Sequence, residues 1–343
     1  FAFNEAVAWI IRETMEQWER QNLSPYASLS SETLGRDREE PLCDIRPAYQ
    51  RDRDRILHSK SFRRLKDKTQ VFLAPEGDHY RTRLTHTLEV SQIARTIAKA
   101  LRMNESLTEA IALGHDLGHT PFGHAGEYIL NEICEDGFAH YKQSVRVVEI
   151  LEKKGQGLNL TKEVRDGMLN HRTSGNPATM EGKIVRFSDK IAYINHDIDD
   201  AIRGKIITER DIPREYADVL GDTVKDRLNI MIHDIINNSM DRPSIFMSPD
   251  VERAMRGLRE WMFEHVYRNP AAKGEEGRAQ QLIVTLYEYY LKHVDELPEE
   301  YLAMMELRGE KRERVVCDYI AGMSDGYAID RFEELFVPKG WNV

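Results

Sequence analysis

The chain has 343 residues, 41% of them hydrophobic and 31% charged, which is enough for one large core or two smaller ones. Its 48 basic and 58 acidic residues give a net charge of −10, which argues against a protein whose main task is to coat nucleic acid. The three cysteines are scattered and form no C-x-x-C pair, which is typical of a reducing compartment and excludes a thiolate zinc site. No run approaches about 18 apolar residues, so we expect a cytoplasmic protein that has no membrane segment.

Helical patterns dominate the chain. Residues 4–21 form an amphipathic pattern, residues 26–50 are polar and irregular, and helical patterns then follow one another through 51–205. A second helical region covers 206–343, and the alternation typical of strands is nearly absent. We predict an all-α fold in which one domain, 1–343, has a helical core at 51–205 and a helical C-terminal extension at 206–343.

The segment 84–101, LTHTLEVSQIARTIAKAL, predicts a helix with one buried face. Positions 86, 90, 93, 94, 97 and 101 share that face, and all of them are apolar except His86. The next helix is expected to open at the S-x-x-E capping box of residues 106–109. It is expected to run to Asp116, after which Gly118 ends it.

The segment 112–127, ALGHDLGHTPFGHAGE, concentrates imidazole and carboxylate groups on a turn rich in Gly and Pro. Its titratable side chains are His115, Asp116, His119, His124 and Glu127. Buried polar groups need partners, and a hydrophobic core rarely concentrates this many of them without a ligand. This density predicts a functional site.

Ligands for a metal ion are predicted around the His115-Asp116 pair. His86 lies 29 residues before His115, and Asp189, on a predicted helix at 184–202, lies 73 residues after Asp116. A mixed imidazole and carboxylate set suits one divalent ion such as Mn²⁺, Mg²⁺, Fe²⁺, Co²⁺ or Ni²⁺ rather than a closed structural zinc.

Two further His-Asp pairs show that the dipeptide alone is weak evidence. The pair His233-Asp234 has no histidine cluster around it, and we interpret it as capping or surface polarity. The pair His196-Asp197 lies on the predicted helix 184–202, and there we interpret His196 as a packed core histidine rather than a ligand.

The order His86, His115-Asp116, Asp189 resembles the metal signature of the HD-domain phosphohydrolases. Longer segments resemble the deoxyguanosine-triphosphate triphosphohydrolase (dNTPase) branch of that family: RDRDRILHSKSFRRLKDKTQVF (51–72), YRTRLTHTLEV (80–90), GHDLGHTPFGHAGE (114–127), HYKQS (140–144) and SDKIAYINHDIDDAI (188–202). The resemblance is close over about 45–205 and looser in VCDYIAGMSDGYAID (316–330), where Gly326 replaces a residue that is commonly basic in the family. It implies that 51–205 is an HD-domain core with additional N- and C-terminal helices.

The resemblance also implies a reaction, the cleavage of a dNTP between its 5′-oxygen and α-phosphorus to a deoxynucleoside and intact triphosphate. One divalent metal ion would polarise the α-phosphate and lower the pKa of a bound water. The implied metal ligands are His86, His115, Asp116 and Asp189. The implied catalytic groups are His124 as general acid or proton relay, Glu127 as its orienting carboxylate, and His119 and His140 as donors to the α-phosphate, with the division of proton transfers left open.

Substrate contacts are implied at five further positions. Arg83 would reach the phosphates. Lys190, Tyr193 and Asp197 match family positions for the phosphate, the sugar face and the 3′-hydroxyl, and Gln70 matches a position near that hydroxyl. Tyr193 beneath the sugar would leave no room for a 2′-hydroxyl and would favour dNTP over NTP. The alternatives are an ordinary buried aromatic for Tyr193 and a surface amide for Gln70.

Two other functions stay open from the sequence. One is another HD-domain phosphodiesterase or nucleotidase, and the other is a nucleotide- or nucleic-acid-binding regulatory protein whose activity is vestigial. Residues 51–68 carry a local charge of +5, which a salt-bridged helix face explains, so nucleic acid is not the favoured partner. The family resemblance further implies a homo-oligomer and allows for a nucleotide activator at a second site.

Overall fold

The computed structural model describes residues 5–70, 81–267 and 275–338, with side chains from residue 11 onward. Within these ranges the regular structure is helical, apart from one isolated bridge between Thr69 and Thr82. The prediction of an all-α fold is therefore confirmed. Residue 4 of the first predicted helix and residues 71, 72 and 80 of the quoted segments lie outside the described ranges.

The helices follow one another with short connections. In the first half of the chain they are α1 Glu5–Asn22, α2 Ala48–Leu57, α3 Lys60–Arg64, α4 Arg83–Ala100, α5 Glu105–Gly114, α6 Gly123–Ile133, α7 His140–Arg146, α8 Glu152–Gly155 and α9 Lys162–Asn170. In the second half they are α10 Met180–Arg203, α11 Arg214–Leu220, α12 Val224–Ser239, α13 Pro249–Met262, α14 Glu276–Lys292, α15 Glu299–Arg308, α16 Arg312–Ala321 and α17 Asp325–Phe336. None of the described helices is long and apolar enough to cross a lipid bilayer.

Helices α4, α5 and α10 pack against one another in the larger hydrophobic core. The predicted stripe of α4 lies in that core, since Val90, Ile93, Ala94, Ile97 and Leu101 are at most 3% exposed. His86, at the N-terminal end of the stripe, is equally buried. The helical spacing of the apolar residues therefore places His86 at the edge of the layer in which α4, α5 and α10 pack together.

A second hydrophobic cluster joins α6 to helices α14–α17 near the C-terminus. The region 206–343 also supplies Met231, Ile235 and Leu258 to the larger core. Because its side chains enter both cores, the proposed boundary between a core at 51–205 and an extension at 206–343 stays a prediction.

The structure corrects the predicted limits of α5. Its N-cap is Asn104, whose side chain accepts hydrogen bonds from the backbone amides of Ser106 and Leu107. Glu109 of the expected capping box contacts Arg53 and Arg95 instead. The first backbone amides of a helix have no partner within the helix, and a preceding Asn side chain can accept from them, as Asn104 does here.

The end of α5 was also predicted too far along the chain, because the helix ends at Gly114 rather than at Asp116. His115 and Asp116 stand on the tight turn that follows. Gly118 is required there by close packing, since a Cβ atom would lie 2.2 Å from the backbone nitrogen of Ser144 and 2.4 Å from the carbonyl oxygen of His140. Its role is to let α7 approach the turn rather than to cap a helix.

Candidate active site

A cavity of about 780 Å³ lies beside α4, α10 and the turn after α5. This volume is in the range of small-molecule sites. The cavity is lined by ten of the side chains singled out in the sequence: Gln70, Arg83, His86, Asp116, His119, His124, His140, Asp189, Tyr193 and Asp197. Three others, His115, Glu127 and Lys190, do not line it.

The four candidate metal ligands converge at the cavity wall. His86 Nε2 lies 3.2 Å from Asp189 Oδ1, and His115 Nε2 lies 3.8 Å from the same oxygen and 3.4 Å from Asp116 Oδ1. Potential ligand atoms of His86, His115 and Asp116 all lie within 4.8 Å of one another. Helices α4 and α10 and the turn after α5 each contribute, so the set depends on their mutual packing.

The donor atoms fit a divalent ion. His115 Nδ1 donates to the carbonyl oxygen of Ala112 at 2.6 Å, which leaves the Nε2 lone pair toward the carboxylates. That Nε2 atom is buried and has no hydrogen-bond partner among the described residues. A buried imidazole nitrogen fixed in this tautomer is the arrangement that second-layer hydrogen bonds give to a metal-binding histidine.

The electrostatics of the set are consistent with two ionised carboxylates. Burial would raise the pKa of Asp116, but the charges of His115, His119 and Arg83 hold it well below its usual range. Burial would also raise the pKa of Asp189, but the hydrogen bond with His86 and the charge of His115 lower it to about 2. Both groups are therefore available as anionic ligands at neutral pH.

Arg83 is nine-tenths or more buried, and its Nη1 donates to Asp116 Oδ2 at 2.9 Å. Its Nη2 atom lies 3.4 Å from the carbonyl oxygen of Gln70. The sequence placed this guanidinium over the phosphates of a substrate. In the structure its close contact is with a candidate metal ligand, which it orients.

Three histidines and one glutamate form a second group beside the metal ligands. His119 Nε2 lies 3.2 Å from Asp116 Oδ1, and the His119 ring stacks on that of His140 with centroids 4.0 Å apart. Glu127 Oε1 accepts from both the backbone amide and Nδ1 of His140, at 2.9 and 2.8 Å. The pairing expected from the sequence, His124 with Glu127, is a looser contact of 3.8 Å.

The pKa values of His140 and His119 are shifted in opposite directions. Burial lowers the pKa of His140, yet the hydrogen bond and charge of Glu127 outweigh it and raise the value above normal. Burial and the charge of Arg83 hold the pKa of His119 well below its usual range. The side chain of His124 is 79% exposed, so of the three histidines it is the one freely reached from the cavity mouth.

Sequence reasoning missed several residues that line the cavity. One of them is His171, a buried histidine. Its Nδ1 donates to the carbonyl oxygen of Met168 at 2.7 Å, and its Nε2 lies 3.3 Å from His140 Nε2. Burial lowers its pKa to about 4. It follows α9 without a recognisable motif, so no local pattern could have singled it out. Other lining residues that the sequence did not identify are Arg172, Thr173, Arg259, Phe263 and Tyr267.

The far part of the cavity holds buried polar atoms without partners. Gln70 Oε1, the Tyr193 hydroxyl and Asp197 Oδ1 have no hydrogen-bond partner among the described residues. Asp197 accepts a hydrogen bond from the Tyr267 hydroxyl, and burial raises its pKa to about 6. The Gln70 side chain is buried, so it is not the surface amide that was the alternative from the sequence. The Lys190 ammonium lies over the Phe187 ring, 5.6 Å from its centroid.

The turn that carries the histidines is held from three directions. Ser144 Oγ donates to the carbonyl oxygen of His115 at 2.7 Å and accepts from the Gly118 amide at 2.9 Å. The buried Lys68 ammonium donates to the carbonyl oxygen of His119. Asp325, at the start of α17, accepts from the Phe122 amide at 3.0 Å.

The other two His-Asp pairs behave as interpreted. His196 is buried, with Nδ1 2.9 Å from Glu89 Oε2. Asp234 accepts from the amide of Ser248, the residue that caps α13, at 2.8 Å, while His233 is exposed. Neither histidine lines the cavity.

Comparisons with known proteins found matches over most of the chain. The HD domain matches residues 83–194, and the phosphohydrolase-associated domain matches residues 245–334. A deoxyguanosinetriphosphate triphosphohydrolase-like protein of Caldanaerobacter subterraneus is 57% identical over 96% of this chain and 97% of its own length. One of Clostridium perfringens is 48% identical over 96% and 98%. The crystal structure of a phosphohydrolase from Bacteroides thetaiotaomicron, 17% identical, covers 82% of this chain and 67% of its own with a TM-score of 0.50, and shows a shared fold.

Proposed function

This chain belongs to the HD-domain family of deoxyguanosinetriphosphate triphosphohydrolase-like proteins, and from that premise we propose that it hydrolyses dNTPs to deoxynucleoside and inorganic triphosphate. One observation supports the proposal most. His86, Asp116 and Asp189 line a nucleotide-sized cavity, and the adjacent His115 Nε2, which lies 3.4 Å from Asp116 Oδ1, has no hydrogen-bond partner among the described residues.

A divalent metal ion, of the Mn²⁺, Mg²⁺, Fe²⁺, Co²⁺ or Ni²⁺ type, would be held by these four side chains. When bound, such an ion would supply charge stabilisation for the α-phosphate and acidify a water molecule. The structure adds one positioning residue to this set, because Arg83 fixes the second oxygen of Asp116.

His140 is proposed to donate a hydrogen bond to the phosphate undergoing attack, and His119, whose Nε2 atom faces Asp116 Oδ1 at 3.2 Å, is proposed to donate to it after exchanging that partner for the phosphate. The two rings stack with centroids 4.0 Å apart, and both line the cavity. Glu127 holds His140 through its Nδ1 atom and favours the protonated ring. The Nε2 atom is then the second donor, and it would exchange its 3.3 Å contact with His171 Nε2 for the phosphate. Once the substrate is bound, donors held in this way stabilise negative charge without further reorganisation during the reaction.

His124 is proposed as the general acid. A water molecule attacks the α-phosphorus, the bond from phosphorus to the 5′-oxygen breaks, and that oxygen takes a proton from the imidazole. The exposed ring of His124 at the cavity wall suits this role, because a general acid must reach the leaving group and then be reprotonated by solvent. Glu127 contributes to His124 only through the looser 3.8 Å contact.

The sugar is proposed to bind near Tyr193, Asp197 and Gln70. Their unpaired polar atoms would be satisfied by a deoxyribose hydroxyl, and the Tyr193 ring would lie against C2′. A 2′-hydroxyl would meet that ring, which accounts for a preference for dNTP over NTP. Lys190 does not line the cavity, so its proposed phosphate contact requires a change of rotamer.

The products distinguish this proposal from another HD-domain phosphodiesterase or nucleotidase. The purified chain is incubated with dGTP and Mn²⁺, and the products are separated by anion exchange. We expect deoxyguanosine and triphosphate in equal amounts. Orthophosphate or pyrophosphate as the primary product would favour the alternative enzyme, and no turnover with any divalent ion would favour the regulatory protein. The proposed homo-oligomer, nucleotide activator and cytoplasmic location are separate expectations.

A further inference from the structure

One part of the candidate active site is not used by any step of the proposed reaction. Four side chains of the cavity lining form it: Tyr128 on α6, Phe263 directly after α13, and Glu276 and Gln280 on α14. We call these four residues the outer wall. The proposed metal ligands, phosphate donors and sugar contacts are other residues, so the nucleobase is the part of a dNTP that still lacks a partner.

Two aromatic rings of the outer wall are exposed to solvent. Tyr128 is 59% exposed and Phe263 is 53% exposed, although both line the cavity. Exposed aromatic side chains in a concave site suit a flat aromatic ligand, because stacking removes both surfaces from water. Every nucleobase has such a flat face, so stacking would hold a base without selecting one.

The outer wall also carries one carboxylate and one amide. Glu276 and Gln280 are four residues apart on α14, so their side chains lie on the same face of the helix. Among the described residues, neither side chain forms a hydrogen bond or ion pair, whereas the adjacent Glu275 pairs with Arg278 at 3.1 Å. A carboxylate in the first turn of a helix also interacts favourably with the helix dipole, and this is the alternative role of Glu276.

Close packing of α6 on α14 fixes part of the outer wall relative to the catalytic groups. Gly126 of α6 lies against Ile283 of α14, since a Cβ atom on this glycine would be 3.1 Å from Ile283 Cδ1. Ile283 is fully buried, and Gln280 lies one turn before it. His124 and Tyr128 flank Gly126, two residues to either side. Tyr128, Gln280 and the proposed general acid are therefore carried by one packed pair of helices.

The charge of Glu276 indicates which end of a nucleotide it faces. Of the other carboxylates that line the cavity in the described part of the chain, Asp116 and Asp189 are candidate metal ligands and Asp197 accepts from Tyr267. Glu276 has no such task. A carboxylate would repel the triphosphate, which carries the negative charge of a dNTP. The base is uncharged and has N–H donors, so it is the part from which a carboxylate can accept.

The four bases differ in what they offer to a carboxylate. Guanine has two adjacent donors, N1–H and N2–H, which one carboxylate can accept together, and beside them the acceptor O6, to which an amide can donate. Adenine has the acceptor N1 at the equivalent position, where it would face the carboxylate oxygens with no hydrogen between them. A carboxylate and an amide on one helix face therefore favour guanine over adenine.

We propose that the outer wall holds the nucleobase and that Glu276 makes guanine the preferred base. Glu276 accepts from N1–H and N2–H, Gln280 donates to O6, and Tyr128 and Phe263 contact the faces of the ring. This inference rests on the proposed hydrolysis of dNTPs, which by itself leaves the base open.

The test compares dGTP with dATP on the full chain in two ways. Kd is measured by isothermal titration under chelation, and kcat/KM is measured with Mn²⁺. The unaltered chain should favour dGTP by about tenfold or more in both measurements, because a hydrogen bond to a charged group is lost with adenine. We expect dITP, which lacks the N2 amino group, to bind between the two. Glu276→Gln should reduce the preference by about tenfold, mainly by weakening dGTP.

Glu288→Gln is the matched control, since Glu288 is exposed on the same helix and does not line the cavity. It should keep the preference for dGTP. Tyr128→Ala should weaken dGTP and dATP by similar factors, and Tyr128→Phe should recover most of that affinity, because a phenyl ring stacks as a phenol does.

Equal affinity of the unaltered chain for dGTP and dATP overturns the inference. So does an unchanged preference in Glu276→Gln, and a lowered melting temperature in that variant would then assign Glu276 to the helix dipole. Failure of the unaltered chain to release triphosphate contradicts the proposed reaction instead, since the two affinities are measured without turnover. No binding of either nucleotide overturns both.

Discussion

Glu127 Oε1 lies 2.8 Å from Nδ1 of His140 and 2.9 Å from its backbone nitrogen, so one carboxylate oxygen holds both the ring and the start of α7. Burial would raise the pKa of Glu127, but its contact with His124 and its hydrogen bond with His140 hold the value well below normal. The carboxylate therefore stays ionised and fixes the His140 tautomer. Its main effect is on His140 rather than on its sequence neighbour His124.

Replacing Glu127 by Gln should change how activity depends on pH. The substitution removes the charge that raises the pKa of His140, so the protonated ring should be lost at a lower pH. A protonated His140 donor predicts that kcat falls as pH rises through its pKa, and this fall should move to lower pH by about one unit or more. The measurement is kcat between roughly pH 6 and 9. Glu132→Gln, exposed on the same helix, is the control, and an unmoved profile in Glu127→Gln contradicts the assignment.

Replacing a metal ligand and replacing the general acid should have different effects on metal content and activity. His115→Ala removes a buried ligand, so the protein should lose metal, activity and the thermal stabilisation that added Mn²⁺ gives. His124→Ala should keep its metal and bind dNTP, yet lower kcat by roughly 10²–10⁴-fold. Metal content, melting temperature with and without Mn²⁺, and kcat are measured for both.

The exposed His233 provides a control for these variants, because it belongs to a His-Asp pair outside the cavity. His233→Ala should match the unaltered chain in metal content and kcat. Metal loss in His124→Ala, or near-normal kcat there, would show that the roles are divided wrongly.

Tyr193 should determine the preference for a deoxyribose. Tyr193→Ala should raise kcat/KM for GTP relative to dGTP, because the ring that opposes the 2′-hydroxyl is gone. Tyr193→Phe keeps the ring and should keep the preference, although its affinity for both nucleotides should fall if the unpaired hydroxyl contacts substrate. Equal kcat/KM for GTP and dGTP in the unaltered chain would remove the basis for this role.

Asp325 should stabilise the catalytic turn from the C-terminal helix. It accepts from the amide and hydroxyl of Thr69 at 3.0 and 2.5 Å and from the amide of Phe122 at 3.0 Å. Asp325→Ala should lower the free energy of unfolding by about 1–3 kcal/mol and also raise KM for dNTP. Asp330→Ala, exposed on the same helix, should do neither. A loss of stability with unaltered KM would limit Asp325 to a structural role.

The sequence predicted the helical architecture well, because the apolar period of α4 is strong and its buried face follows directly from it. The resemblance to the HD-domain family was likewise confirmed by close relatives across nearly the whole chain. Local signals were less reliable. Asn104 displaced the S-x-x-E pattern as the cap of α5, since several side chains near a helix start compete for the same amides.

Contacts between distant segments were beyond sequence reasoning. The spacing of His124 and Glu127 suggested a pair on one helix face, but α7 brings His140 closer to the same carboxylate. His171 contacts His140 only because α9 packs against α7. In the C-terminal segment the sequence drew attention to Gly326, whereas in the structure the preceding Asp325 contacts the turn through the Phe122 amide.

The position of bond cleavage tests the central claim most directly. The chain is allowed to hydrolyse dGTP with Mn²⁺ in water enriched in ¹⁸O, and both products are analysed by mass spectrometry. Attack at the α-phosphorus predicts one ¹⁸O atom in the triphosphate and none in the deoxyguanosine. Label in the deoxyguanosine, or label in orthophosphate or pyrophosphate released as the first product, would contradict the proposed reaction.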